Sequence, residues 1–216
     1  MESSSPLRAV SVVDALVGEL RELVFRGDLA AGTRVSEAAL AERFQVARPS
    51  VRAALQALVQ SGLLYREPNR SVYVPRLGPE DVRDLFAVRT LLEVDAVHTL
   101  ARRGIRPAPA MRALRQLEAL TDDDGWHEVV AHDLALHRAL VDGVGSPRMS
   151  RVYAGITDEI RLCITQLRFS YQSPRQIAEE HRELVEEVCS GDADRAVAAC
   201  RGHLEASERI LLTGHA

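Results

Sequence analysis

Four side chains stand out for their chemistry: Asp133, His137, His181 and His203 occupy positions where helical periodicity calls for apolar residues. Asp133 and His137 are four residues apart, so on one helix their side chains are neighbours. That helix, read over 125–142, has an inward stripe of Trp126, Val129, Val130, Leu140 and Val141, and both polar residues fall on it. His181 falls among Ile177, Leu184, Val185 and Val188 on a helix read over 174–190. His203 follows Ala196, Ala199 and Cys200 on a helix read over 192–212. A lone carboxylate in a core is costly unless it is paired. One Asp and three His from three helices can share a divalent cation, which removes that cost; imidazole and carboxylate suit Zn, Ni, Mn or Fe. Each histidine taken singly also fits a satisfied core histidine, and Asp133 with His137 also fits a plain hydrogen-bonded pair.

A second group has chemistry of another kind. Over 48–61, Val51, Ala54, Leu55, Leu58 and Val59 make one apolar face, while Arg48, Arg52 and Gln56 fall together on a different stripe. Arginine can bond guanine O6 and N7 together, and Gln can bond adenine N6 and N7. Ser50, in the first turn, can bond a phosphate. Pro49 sits where its missing N–H is not needed. A solvated basic face on an amphipathic helix is the competing reading.

The surrounding elements decide between these readings. A helix over 11–26 carries Leu16, Leu20, Leu23 and Val24 on one stripe and stops at Gly27-Asp28. Ser36 can cap a short helix over 37–44. Gln45 to Ala47 makes a tight turn into the 48–61 helix, which stops at Gly62. Short β-like runs at 63–66 and 72–75 flank a turn at Pro68 to Arg70. Helix, short helix, turn, helix and hairpin is the order of a winged helix-turn-helix. After the turn signal at Leu77 to Pro79 the pattern is helical throughout, with segments near 79–103, 109–120, 125–142, 147–171, 174–190 and 192–212. The expected fold is mainly α: a disordered tail over 1–10, a winged helix-turn-helix with a small β-hairpin wing over 11–76, and an all-α bundle of six to seven helices over 79–213.

Composition agrees. Hydrophobic residues make up 46% of the 216 and charged residues 27%, enough for a packed core in a globular chain. The net charge of -4 hides an asymmetry: residues 34–76 hold seven Arg against three acids, whereas 77–216 hold seventeen Arg against twenty-three. All 27 basic residues are Arg. Composition bias accounts for the missing Lys, but not for positive charge gathering in one stretch, and a basic stretch suits a phosphate backbone. No run of eighteen apolar residues suggests a membrane span, and the polar start lacks the apolar core of a signal peptide. Three scattered cysteines fit neither a disulfide framework nor a CxxC site, so the expected compartment is the reducing cytoplasm.

The run from Val35 to Leu55, VSEAALAERFQVARPSVRAAL, resembles the GntR family motif L-S-E-x-x-L-A-x-x-x-x-V-S-R-T-P-V-R-E-A-L, and Leu58 to Leu64 resembles its continuation into the wing. The resemblance implies base contacts by Arg48 and Arg52 and a wing at Asn69, Arg70 and Ser71 that enters or skirts the minor groove. Arg34, just before the motif, joins these DNA-facing candidates. Three residues depart from the pattern. Ala47 replaces the usual Ser and forgoes a side-chain cap worth roughly 1 kcal/mol. Ala38 stands where some relatives carry an Arg, and Ser71 where the wing often has Gly.

Residues 79–212 resemble the FCD ligand-binding domain of the FadR subfamily, closer in helix count to its shorter, VanR-like members. Its pattern of D-x-x-x-H followed by two later His matches Asp133, His137, His181 and His203. The resemblance implies a divalent metal at the base of a pocket that helps hold a small organic acid. It also implies a pocket-facing Arg at Arg89, with Arg161 a second candidate of that kind. A surface pair between Arg89 and Glu93, four residues on, is the alternative. His98, His127, His132 and His215 lie off the stripes and read as surface or structural. The expected protein is a DNA-binding regulator, a repressor by the commoner family behaviour. It would be a homodimer on a short inverted repeat of double-stranded DNA, responsive to a small carboxylate effector. A metallohydrolase is the rival, but no general base such as the Glu of HExxH stands beside the cluster.

Overall fold

The computed structural model describes residues 11–67, 71–166 and 173–213, which fall into two compact units, Met1–Arg76 and Leu77–Ala216. The expected tail over 1–10 and Asn69 and Arg70 of the expected wing segment lie outside the described residues, as do 167–171 of the expected 147–171 helix and His215.

In the first unit, α1 (Val12–Phe25) begins at Ser11, whose hydroxyl accepts from the Asp14 N–H at 3.0 Å. It buries Leu16, Leu20, Leu23, Val24 and Phe25. Gly27, at φ +84°, reverses the chain after it. Ser36 caps α2 (Glu37–Phe44) through the Ala39 N–H. Gln45 then takes the left-handed conformation at φ 52°, and this turns the chain into α3 (Arg48–Gln60). Ala47, at the N-cap of α3, makes no side-chain cap bond, as its methyl group dictates. The buried face of α3 is Val51, Ala54, Leu55 and Leu58; Val59 is only half-buried.

The expected hairpin is present as the antiparallel pair Tyr65–Arg66 and Val72–Tyr73, and a third strand joins it. The wing is a three-stranded antiparallel sheet in the order β1 (Arg34–Val35), β3 (Val72–Tyr73), β2 (Tyr65–Arg66). Arg34 pairs with Tyr73 and Val35 with Val72 on one side of β3; Tyr65 and Arg66 pair with the same two residues on the other. Two residues carry too little alternation to announce β1 in sequence. The β2 run is shorter than the expected 63–66 because Leu63 and Leu64 are both buried and so do not alternate. The Leu64 N–H instead bonds the Leu58 carbonyl at 3.1 Å and closes the end of α3. Val74, beyond β3, still exchanges backbone bonds with Gly32 and Thr33.

The second unit holds six helices among the described residues: α4 (Pro79–Arg102), α5 (Ala108–Glu118), α6 (Trp126–Gly143), α7 (Pro147–Gln166), α8 (Pro174–Ser190) and α9 (Ala193–Thr213). Helix α4 is central, packing against α6, α7, α8 and α9, while α5 packs on α6 and α8. Start signals read locally: Asp81 accepts from the Gly78 N–H ahead of α4 at 2.8 Å, Ser173 and Gln176 cap α8 reciprocally, and Asp192 accepts from the Asp194 and Arg195 N–H groups to open α9. A large apolar cluster, including Phe86, Leu100, Leu136, Leu140, Ile160 and Leu204, packs between the helices, and a smaller one joins Leu117, Val129, Ile177 and Ala178. No helix is long and apolar enough to cross a membrane among the described residues.

Candidate functional site

The apolar stripes of α6, α8 and α9 turn three imidazoles toward one point. His137 and His181 are buried, at 1% and 2% side-chain exposure, and His203 is nearly so. His137 Nε2 lies 3.1 Å from His181 Nε2 and 3.2 Å from His203 Nε2. Possible ligand atoms of all three lie within 4.8 Å of one another. Asp133 joins them, with Oδ1 2.8 Å from His181 Nε2 and 3.9 Å from His137 Nε2. Of the four residues singled out by their places on apolar stripes, the three histidines meet at one point and Asp133 lies beside His181 and His137.

The second ring nitrogens are also engaged. His181 Nδ1 is 2.7 Å from the Ile177 carbonyl, and His137 Nδ1 is 2.6 Å from Glu93 Oε2. A carbonyl oxygen and an ionised carboxylate only accept, so both Nδ1 atoms donate and both Nε2 atoms keep a lone pair or take a second proton. Lone pairs and a carboxylate brought together in a largely buried site favour a positive charge between them. Two nitrogens on one cation with bonds of about 2.1 Å stand about 3.0–3.4 Å apart, so the observed separations fit a shared ion. A proton on His181 is the alternative occupant. Burial opposes that proton, but Asp133 outweighs burial and raises the His181 pKa. Burial, helped by the charges at His181 and His137, pushes the His203 pKa well below its ordinary value. Burial alone would raise the Asp133 carboxyl, yet His181 and His137 hold it well below the usual carboxylate range. The set fits a divalent ion bound by nitrogen and carboxylate oxygen.

Beneath His137 lies a second layer that the sequence reading did not assemble. Glu93 on α4 is fully buried; its Oε1 accepts from Arg89 Nε and from the Tyr153 hydroxyl, both at 2.8 Å. Burial opposes the Glu93 charge, but Arg89 and His137 keep its carboxyl far below the usual range. The expected surface pair between Arg89 and Glu93 is therefore a pair but not on the surface: Arg89 is 2% exposed, with its guanidinium carbon 4.9 Å from the Phe86 ring centroid. The signal was present, because Val82, Phe86, Arg89, Glu93, Ala96, Val97 and Leu100 form one buried series at helical spacing. Tyr153 carried no such signal, since an inward Tyr is common and its partner lies 60 residues away in sequence. Arg161 is half-buried on α7, and His98 and His132 are half-buried away from the triad, while His127 is exposed.

In the first unit, Arg48, Arg52 and Gln56 are exposed along α3, opposite its buried face, and Ser50 is half-buried. Arg52 crosses to α2, where Nη2 donates to Glu37 Oε2 at 3.0 Å and Nε donates to the same carboxylate. The hydrogen bond from Arg52 lowers the Glu37 pKa against a smaller effect of burial. Arg34 and Ser71 are exposed and line one hollow at the sheet together with Ser36, Glu37 and Arg66. Arg66 was not singled out from sequence; in a two-residue strand nothing distinguishes it from any surface Arg.

Comparison with known proteins agrees with both units. Residues 13–74 match the family described as bacterial regulatory proteins, gntR family, and residues 84–206 match the FCD domain. The chain is 29% identical over 213 residues to the HTH-type transcriptional regulator LutR of Bacillus subtilis, covering 88% of this chain and 96% of that protein. Its fold is similar to that of a GntR transcriptional regulator from Rhodococcus sp. RHA1, with a TM-score of 0.79 and 25% identity over 93% of this chain and 97% of the other. The fold of its second unit is also similar to the Zn2+-bound FCD domain of TM0439, with a TM-score of 0.52 and 18% identity over 64% of this chain and 96% of that one. These relatives are transcriptional regulators and not enzymes, which sets the metallohydrolase reading aside. The chain belongs to the GntR family of bacterial regulatory proteins, among the members whose second domain is an FCD domain.

Proposed function

We propose that this regulator is a repressor whose operator binding is modulated by a small organic acid, held near a divalent metal in the helical domain. The observation that carries the proposal is the convergence of His137, His181 and His203, with Asp133 against His181, in the interior of the helical unit. Those four residues would hold the ion. When bound, it supplies a positive charge with open positions suited to a ligand carboxylate. The Zn2+ in the FCD domain of TM0439, a domain of similar fold, supports this reading. Arg89 and Arg161 are the candidates for an additional charge-assisted contact to the acid.

On the DNA side, Arg48, Arg52 and Gln56 read base edges in the major groove, while Ser50, Arg34 and the wing at Asn69, Arg70 and Ser71 meet the backbone or the minor groove. A homodimer presents two such helices to a short inverted repeat. Effector binding shifts the balance between DNA-competent and DNA-incompetent arrangements, and reciprocity makes DNA weaken effector binding by the same factor. The three cysteines are all free, which suits a reducing cytoplasm where operator DNA is available.

Selection of bound duplexes from a random pool tests this directly. The expected winners share an inverted repeat, and small carboxylates release them only when the protein is metal-loaded. Retention of every winner under all carboxylates, with and without metal, would remove effector control. No preference over random competitor would remove sequence-specific regulation itself.

A further inference from the structure

His137 is the central imidazole of the cluster, the one whose Nε2 lies within 3.2 Å of both other Nε2 atoms. Its orientation is not fixed by its own helix. His181 is steadied by a carbonyl one turn earlier on α8, whereas His137 is steadied by Glu93, 44 residues away on α4. Helix α4 contributes no ligand atom to the cluster. Glu93 divides its oxygens: Oε2 faces His137, while Oε1 is fastened by Arg89 from one turn back and by Tyr153 from α7. A carboxylate gripped on one oxygen by two donors has little freedom to turn the other away. An acceptor at Nδ1 makes one tautomer the ground state, N–H at δ1 and lone pair at ε2.

We propose that Glu93 is the positioning residue of the metal centre: it sets His137 as an Nε2 ligand, and Arg89 and Tyr153 hold it in place. The proposal rests on the reading of the cluster as a metal site. It adds a residue outside the ligand set whose removal changes the site without removing a ligand. Outer partners of ligating histidines typically change metal affinity by about 10–100-fold.

The test uses the full-length chain and cobalt(II) as the probe. Affinity is read by competition with a chelator, and coordination by the visible absorption bands of bound cobalt. Glu93→Gln should bind cobalt about 10–100-fold more weakly with altered bands. Tyr153→Phe removes one of the two donors to Glu93 Oε1 and should weaken cobalt binding in the same direction but less than Glu93→Gln does. Because Glu93→Gln leaves Arg89 buried without its counter-charge, the charge-balanced pair Arg89→Gln with Glu93→Gln is measured alongside it, and should show the same loss. In the metal-free parent, nitrogen NMR should report His137 as the Nδ1–H tautomer, with that preference weakened in the pair. Parental affinity and bands in a folded Glu93 variant, or an Nε2–H tautomer at His137 in the parent, overturns the inference while the metal site stands. A parent that takes up no cobalt overturns both.

Discussion

Asp133 precedes His137 by one turn on α6, yet its carboxylate is aimed at another helix: Oδ1 lies 2.8 Å from His181 Nε2 and 3.9 Å from His137 Nε2. A simple i, i+4 pair within α6 would have been self-sufficient. The observed geometry instead leaves His137 facing His181 and His203, and joins α6 to α8 through a charged contact. Separating the two helices would strand a carboxylate and an imidazole in the core, so a ligand common to both should stabilise the whole bundle.

Chelation should therefore lower the thermal midpoint of the second domain. A bound ion at 100 times its dissociation constant contributes about 2.7 kcal/mol of stability. Calorimetry before and after exhaustive dialysis against a chelator, with metal added back, measures it. A midpoint indifferent to both treatments contradicts a bound ion.

His203→Ala should lower metal content and carboxylate response while leaving the fold largely intact. His203 is the more exposed of the three imidazoles, so its loss opens less of the core than loss of His181. Metal analysis of the purified variant, with circular dichroism for the fold, decides it; full metal loading would take His203 out of the site.

The parts of this protein that were legible in sequence are those written in local code. The order α1, α2, α3 and the six later helices follow from caps, glycines and 3.6-residue stripes, because each signal lies within a few residues of its effect. Asp133, His137, His181 and His203 were legible for a related reason: each is polar on an apolar stripe. Strand β1 was not, being two residues long and defined only by its pairing with β3. The link from Tyr153 to Glu93 and the bridge from Arg52 to Glu37 were not legible either, since they join residues 60 and 15 positions apart. Helical periodicity tells which way a side chain points, not what it meets.

Arg52 illustrates the consequence for DNA reading. Its side chain is 66% exposed yet fastened to Glu37, so it is presented in one orientation. Arg52→Ala should weaken specific binding by about 1–3 kcal/mol and relax base choice at one position of each half-site. Binding to a panel of single-position operator variants measures both effects. Equal weakening on every sequence, including random duplex, would make Arg52 a backbone contact instead.

Glu159 on α7 offers a pH-dependent test. Partial burial, and then the nearby carboxylates of Asp81, Asp84 and Asp158, raise its pKa above the usual value. The folded state thus holds this proton more tightly than the unfolded state. The charged form carries a penalty at neutral pH that disappears once both states are protonated, below about pH 4.3. Glu159→Gln should raise the urea midpoint at pH 7, with the gain shrinking as pH falls through the carboxylate range. A gain of equal size at pH 4 and pH 7 would point to packing rather than charge.

The unfilled cap of α3 gives the last test. Ala47 already has the extended backbone of an N-cap, φ -66° and ψ 141°, and makes no side-chain cap bond. Pro49, in the first turn, has no N–H, so the natural donor to a capping oxygen is the N–H of Ser50 at the third position, which bonds the Ala47 carbonyl at 2.9 Å. Residue 47 is exposed, so a hydroxyl there costs no burial. Ala47→Ser should stabilise the first domain by about 0.5–2 kcal/mol through a bond from that N–H to the new oxygen. Denaturant unfolding of the variant beside the parent measures the gain. An unchanged midpoint would mean that the Ser50 N–H keeps to the backbone carbonyl and that the first turn of α3 is held by packing alone.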